Sequence, residues 1–357
     1  MKRIFMFGYY GFNNIGDEAI LEAIVESFRA EIPRVQLAAL SYKASETEKR
    51  YQIEAVSRNQ FWQVVKKIGH SDVVMSGGGS ILQDITSSRS LLYYLGIILL
   101  AKMAGKKVVF YGNGFGPINR PFNKWLAKMI INKVDLITLR DNESKKVMES
   151  LGISRAITVT ADAAFNLEAL NCQENLSFKE PIVGISIRNW KGKENYCRVI
   201  ALCADQLVKR GYRILFLPMH HPSDIRISEE VASMMESPST ILDHPMKPRE
   251  MIAQMSKLNF LIGMRLHSLI FAAIAGTPMV GLSYESKVSS FLNQVRQPCA
   301  GYVESLTEQE IMESIDLLIK ERKGYVTNLT EAKKELSIKA RENAKMLREF
   351  MDKGEKW

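Results

Sequence analysis

The stretch Gly263-Met264-Arg265-Leu266-His267-Ser268 decides how the chain is read. The apolar run Leu258 to Ile262 leads into it, and Leu269 to Ala275 follows with a helix-forming composition. Gly276-Thr277-Pro278 stops that helix, and Met279 to Ser283 reads as the next strand. The spacing predicts a βαβ unit with its loop at the carboxyl end of a parallel strand, the edge where open α/β sheets bind ligands. Free N–H groups and the dipole at a helix start favour an anion there. Arg265 adds a planar fork for carboxylate or phosphate, and His267 adds a proton carrier, which together suggest an anionic substrate and acid–base work. A lone Arg-x-His is also what a surface ion pair and a helix cap leave behind, so the neighbouring segments must decide.

Working outward, strand–loop–helix units recur. Arg3 to Phe7 reads as a buried strand and Asp17 to Arg29 as an amphipathic helix with Leu21, Ile24, Val25 and Phe28 on one face, so Gly8 to Gly16 is a connecting loop. Glycines such as Gly11 and Gly16 permit close backbone approach, while Asn13, Asn14 and Asp17 can hydrogen-bond hydroxyl groups, which suits a sugar better than a pyrophosphate. Asp17 reads equally well as a helix cap. The absence of Gly-x-Gly-x-x-Gly weakens an NAD or FAD reading. Val35 to Leu40 and Asp72 to Met75 are further strands, the latter entering Gly77-Gly78-Gly79, where a ligand against the backbone at Gly78 and Gly79 is expected. Asp84 follows as a candidate to bind or deprotonate a sugar hydroxyl, and as an isolated Asp it also fits a solvated loop. Lys107 to Tyr111, Leu136 to Leu139 and Ile157 to Thr160 end in glycine-rich or Arg-Asp and Ala-Asp loops, so one edge collects the polar groups.

Residues 166–180 are polar and aperiodic and read as a linker. A second series begins at Ile182 to Ile187, ending in Arg188-Asn189-Trp190, and continues with helix Tyr196 to Lys209 and strand Arg213 to Leu217. His220 and His221 lie in a polar loop, Met219 to Asp224, without a third ligand at metal spacing. Lys287, after Tyr284-Glu285-Ser286, adds positive charge beside Arg265. Thr307 to Lys320 and Leu329 to Met351 read as terminal helices. The expected organisation is an N-terminal domain 1–165, the linker, a C-terminal domain 181–325, and a helical segment 326–357 that docks back onto the first domain.

At 357 residues the chain exceeds one ordinary core, and 46% apolar with 24% charged residues excludes a disordered chain. The net charge of +9 implies anionic partners, and with no nucleic-acid-binding signature it favours an anionic membrane surface and an anionic substrate. Cys172, Cys197, Cys203 and Cys299 form no Cys-x-x-Cys pair, so buried, reduced thiols in a cytoplasmic protein are expected, with neither disulfide nor zinc. Leu91 to Ala101 is too short to span a bilayer and reads as a buried helix, and the N-terminus lacks an export signal.

Gly263 to Ala273 resembles the signature of the polysaccharide pyruvyl transferase family, as does Gly8 to Ala19. Ser76 to Asp84, Gly114 to Ile118, Leu139-Arg140-Asp141, Ala161-Asp162 and Ile187 to Trp190 match in the same order, and the likeness reaches Val288. Ala163 stands where the family often has Pro, and Glu285-Ser286 replaces a common Asp-Pro. The chain is most similar to the CsaB-type ketal-pyruvyltransferases of bacterial cell-wall polymer synthesis, which implies a role in the secondary polymers that anchor S-layers.

The resemblance implies a GT-B-like fold of two Rossmann-like α/β domains facing a cleft, no metal and no cofactor. It implies phosphoenolpyruvate as donor and a lipid-diphosphate-linked sugar, β-N-acetylmannosamine, as acceptor of a 4,6-ketal. That chemistry needs an acid, a base and cations. Arg265, His267, Arg188 and Lys287 are the expected donor side, with the donor phosphate recruiting a proton onto His267. Asp17 and Asp84 are the expected base candidates among the acceptor loops. A nucleotide-sugar glycosyltransferase or epimerase, and a non-catalytic sugar-binding protein at the membrane, remain the competing readings; the sequence leaves the oligomeric state open.

Overall fold

The computed structural model describes residues 2–85, 87–169 and 180–353. The chain forms two compact units, Met1–Asn166 with Leu336–Trp357, and Leu167–Glu335. Most of the expected linker, residues 170–179 with Cys172, lies outside the described residues.

The first unit holds seven strands: β1 (Lys2–Tyr10), β2 (Val35–Ser41), β3 (Glu54–Ser57), β4 (Val73–Gly77), β5 (Lys107–Asn113), β6 (Leu136–Leu139) and β7 (Ile157–Val159). They pair in parallel in the order β3-β2-β1-β4-β5-β6-β7. Near-continuous apolar runs such as Ile4–Phe7 and Val108–Tyr111 make these strands, because a parallel sheet is covered on both faces. Helices Phe61–His70, Ser88–Met103, Pro121–Ile131 and Asn142–Ser150 share one core with the sheet through Val64, Leu95, Ile130 and Met148. The chain runs outward from β1 to β3, then returns to β4 and proceeds the other way. The order therefore reverses between β1 and β4, which opens a crevice beyond their carboxyl ends.

The second unit repeats this plan with β8 (Ile182–Ser186), β9 (Arg213–Phe216), β10 (Ser239–Ile241), β11 (Phe260–Gly263), β12 (Met279–Ser283) and β13 (Cys299–Tyr302), all parallel, in the order β10-β9-β8-β11-β12-β13. Its reversal falls between β8 and β11.

Helix Arg322–Lys353 begins in the second unit and ends in the first. Leu336, Ala340, Ala344, Leu347 and Met351 are buried at helical spacing. Among them Asn343, 1% exposed, receives hydrogen bonds from the Thr138 and Thr160 hydroxyls and donates to the Ala161 carbonyl at 3.1 Å.

Three expectations change. Helix Ser88–Met103 does bury Leu91, Leu95, Ile98 and Ala101, yet Leu92, Leu99 and Met103 face solvent. Cys299 is exposed, while Cys197 and Cys203 are buried. Helix Ser223–Met234 starts inside the stretch expected to be a polar loop. No described helix is long and apolar enough to cross a membrane.

Candidate functional site

Ser186 pairs with Gly263 across β8 and β11, so Arg188 and Arg265, each two residues further on, leave neighbouring strands at the same level beside the reversal. Met264 N–H donating to the Ser186 carbonyl at 2.8 Å continues the pairing past the strand end. This register brings together two cations that lie 77 positions apart in sequence.

The Arg188 guanidinium sits 4.7 Å from the Tyr284 ring centre and 5.1 Å from that of Trp190, and its Nη1 donates to the Tyr284 hydroxyl at 3.0 Å. Trp190 is fixed in turn, its indole N–H donating to Glu304 at 3.0 Å and its backbone N–H to the Tyr196 hydroxyl at 2.9 Å. No carboxylate pairs with Arg188 among the described residues, and its buried Nε has no hydrogen-bond partner there. A partly desolvated cation without a counter-charge is costly unless an anion arrives.

Arg265 is held differently. Its Nη2 and Nε contact the two oxygens of Asp224, which is fully buried. Asp224 also accepts from the Met219 and His220 backbone N–H groups at 3.2 and 3.0 Å and from the Ser223 hydroxyl at 3.1 Å. The partner is therefore a buried, hydrogen-bonded carboxylate in the His220–Asp224 turn. Nothing in the sequence marked Asp224 beyond its place in that turn. In the same turn, burial holds the His221 imidazole below its ordinary value against the opposing pull of Asp224.

Arg265 occupies the cap position of helix Leu266–Ala275, so His267 lies in its first turn and is half-buried. Lys287 pairs with Glu285 at 2.6 Å and lies 5.6 Å from the Tyr284 ring centre, which places it beside the aromatic box of Arg188. Arg188, Arg265, His267 and Lys287 thus all stand at the carboxyl edge of β8, β11 and β12.

The loops expected to meet a sugar lie at the first unit's reversal. Asn14 caps helix Ile15–Glu31 by accepting from Gly16 N–H at 3.2 Å, and the Asn13 amide oxygen receives Lys43 at 3.3 Å. Gly11 has φ +78° and donates its N–H to Glu18 at 2.8 Å. Gly78 and Gly79 have φ +74° and +69°, and a Cβ on Gly78 would lie 2.6 Å from Ile20. Backbone conformation and packing therefore already account for the glycines, without a ligand. On Gly79 a Cβ would lie 3.0 Å from a carboxylate oxygen of Asp17, so the buried Asp17 and the turn after β4 meet.

Asp84 is occupied. Both its oxygens accept: from Asn119 N–H at 2.8 Å, Arg120 N–H at 3.0 Å and the Asn123 amide at 2.9 Å. Burial pulls this carboxyl upward, but those donors outweigh it and keep it below the usual range. Asp84 clamps the loop before helix Pro121–Ile131, which explains its burial better than a solvated loop residue or a base. Arg140 is likewise internal, bound to Asp162 and Ser80 at 2.9 Å each. Among the described residues no three His, Cys, Asp or Glu side chains are grouped as a metal would require.

Known proteins share the fold that carries these residues. The amylovoran biosynthesis protein AmsJ of Erwinia amylovora is 23% identical over 283 residues, covering 71% of this chain and 67% of that protein. Among solved structures, MnaA of S. aureus with UDP superposes with a TM-score of 0.66 at 12% identity, covering 93% of this chain and 91% of that one. HepE of Anabaena with UDP-glucose gives 0.66 at 13%, covering 99% and 100%. These likenesses establish a GT-B-like fold of two Rossmann-like α/β domains. The family model for polysaccharide pyruvyl transferases matches residues 14–286, from the Asn14 cap to the residue before Lys287, and the chain belongs to that family.

Proposed function

We propose that the chain transfers the pyruvyl group of phosphoenolpyruvate to two hydroxyls of one sugar, forming a 4,6-ketal and releasing phosphate. The observation that carries this reading is Arg188, a half-buried cation with no carboxylate partner among the described residues, leaving the sheet level with Arg265. Phosphoenolpyruvate carries a carboxylate and a phosphate, and two guanidinium forks suit two planar or tetrahedral anionic groups. Asp224 takes the Nε–Nη2 edge of Arg265 and leaves Nη1 for the ligand.

The reaction adds a proton to the donor's methylene carbon, making a methyl group and an electrophilic neighbour. One sugar hydroxyl adds to that carbon and loses its proton; the second then displaces phosphate, which departs with the other proton. His267 delivers the first proton, Arg188, Arg265 and Lys287 hold the donor's charges, and Asp17 receives a hydroxyl proton. The acceptor is a lipid-diphosphate-linked saccharide, with β-N-acetylmannosamine the expected sugar. No metal or organic cofactor is needed for these steps.

Phosphate release from phosphoenolpyruvate, measured with a lipid-linked disaccharide and with acceptor omitted, tests the reading. Release that depends on acceptor is expected, with a product heavier by the pyruvyl group. Turnover of a UDP-sugar with phosphoenolpyruvate untouched would replace this function with an epimerase or glycosyltransferase. Retained glycolipid binding with no turnover of either would leave a binding protein.

A further inference from the structure

Three helices of the first unit, Phe61–His70, Ser88–Met103 and Pro121–Ile131, follow β3, β4 and β5 by crossovers in one direction and pack side by side on one face of the sheet. Their outer surfaces are unusual for helices over a soluble core. Phe61 and Trp62 stand exposed on the first, Leu92, Leu99 and Met103 on the second, and Phe122, Trp125 and Met129 on the third. Trp62 is 79% exposed and Met103 75%, values that a core side chain never approaches.

Charge on these helices has one sign. Their 37 residues contain six Lys or Arg and no Asp or Glu; Lys67 and Lys102 pair with Glu54 and Asp135 from outside the helices, and Lys66, Arg89, Lys124 and Lys128 make up the rest. The bias extends to the whole unit. Residues 1–166 and 336–357 carry the entire formal excess of +9, while residues 167–335 balance to zero.

We infer that this three-helix face docks on an anionic phospholipid surface, with Trp62 and Trp125 seated at the headgroup level and the lysines beside them neutralising lipid charge. Indole rings pair an apolar body with a polar N–H and favour that boundary, and lysine stems lie along apolar surface while their amines reach anionic groups. A basic, apolar face that is too short to span lies in the interface plane. A protein partner or a second copy would also cover apolar surface, but neither calls for three helices without a single carboxylate.

This deepens the proposed function, since a lipid-linked acceptor would be met at such a surface, yet docking needs no turnover. The two are therefore tested apart: phosphate release on a short water-soluble acceptor reads the chemistry, and vesicle binding reads the face. The full chain is sedimented with vesicles of phosphatidylcholine and phosphatidylglycerol in a three-to-one ratio, and with phosphatidylcholine alone. Binding to the first only, weakening as salt rises, is expected. Lys66→Gln, Lys124→Gln and Lys128→Gln together should weaken it about a hundredfold, because each basic residue near such a surface is worth roughly 1 kcal/mol, or about fivefold. Trp62→Ser, Leu99→Ser and Trp125→Ser together should weaken it at least tenfold; these exposed sites leave melting unchanged. Brominated lipids should quench tryptophan emission in the wild type and not in the Trp62→Phe, Trp125→Phe variant. Quenching that survives in that variant, or binding indifferent to both triple variants, overturns the inference. So does a wild-type dimer by light scattering that the serine variant dissociates without any vesicle binding, which would assign the face to a second copy.

Discussion

Arg188 and Arg265 stand at equal height on adjacent strands, yet their removal should have unlike consequences. Arg265→Ala strands Asp224, which is fully buried, so a stability loss of about 3 kcal/mol accompanies the loss of donor contact. Arg188→Ala strands no carboxylate and should melt near the wild type while the KM for phosphoenolpyruvate rises by two orders of magnitude or more, as for a lost charged contact of about 3 kcal/mol. Urea denaturation beside steady-state kinetics on both variants checks the contrast. Equal melting losses would deny that Asp224 is the element that distinguishes them. His267→Gln keeps a hydrogen-bonding side chain, so donor affinity by calorimetry should hold while turnover falls by roughly 10² to 10⁴. Full turnover in that variant would remove His267 from the proton transfer.

At the scale of elements, the turn after β4 and the long final helix each rest on one residue. Gly78→Ala must hold φ +74° and push its Cβ against Ile20, which should cost about 1 to 3 kcal/mol in stability. Adding Ile20→Ala, which removes the Cγ2 methyl that the new Cβ meets, should recover only the packing part, so a double-mutant cycle separates conformation from contact. Asn343→Ala leaves the Ala161 carbonyl unsatisfied, while the Thr138 and Thr160 hydroxyls fall back on the Phe110 and Leu139 carbonyls, and should cost about 1 to 3 kcal/mol, read by thermal unfolding. These dependencies also show what the sequence could reveal. Strands such as Leu136–Leu139 and Met279–Ser283 were legible to the residue because their apolar runs end at polar or glycine stops. Helices Ala44–Tyr51 and Pro248–Met255 were not, being short, polar on their outer faces and dependent on packing. At the site, Arg188, Arg265, His267 and Lys287 were visible as cations and an imidazole after strands. Asp224 was hidden, because a pairing across 41 positions is set by the sheet, and Asp84 was visible but misleading, since its three donors arrive from a loop 35 to 39 residues away.

For the whole molecule, two separately packed sheets predict more than one cooperative step. Calorimetry should give a van't Hoff enthalpy below the calorimetric one, with Gly78→Ala shifting one component and Arg265→Ala the other. A single transition moved by both variants would show instead that the units unfold as one. The helix Arg322–Lys353 has a further consequence, in the order of synthesis. A ribosome finishes residues 1–166 well before it reaches Asn343, the side chain that hydrogen-bonds the Ala161 carbonyl and the Thr138 and Thr160 hydroxyls. At ordinary elongation speeds that interval is on the order of ten to thirty seconds. Through it the nascent first domain must wait with a polar slot open at the ends of β6 and β7, a window in which a chaperone or a protease can find it.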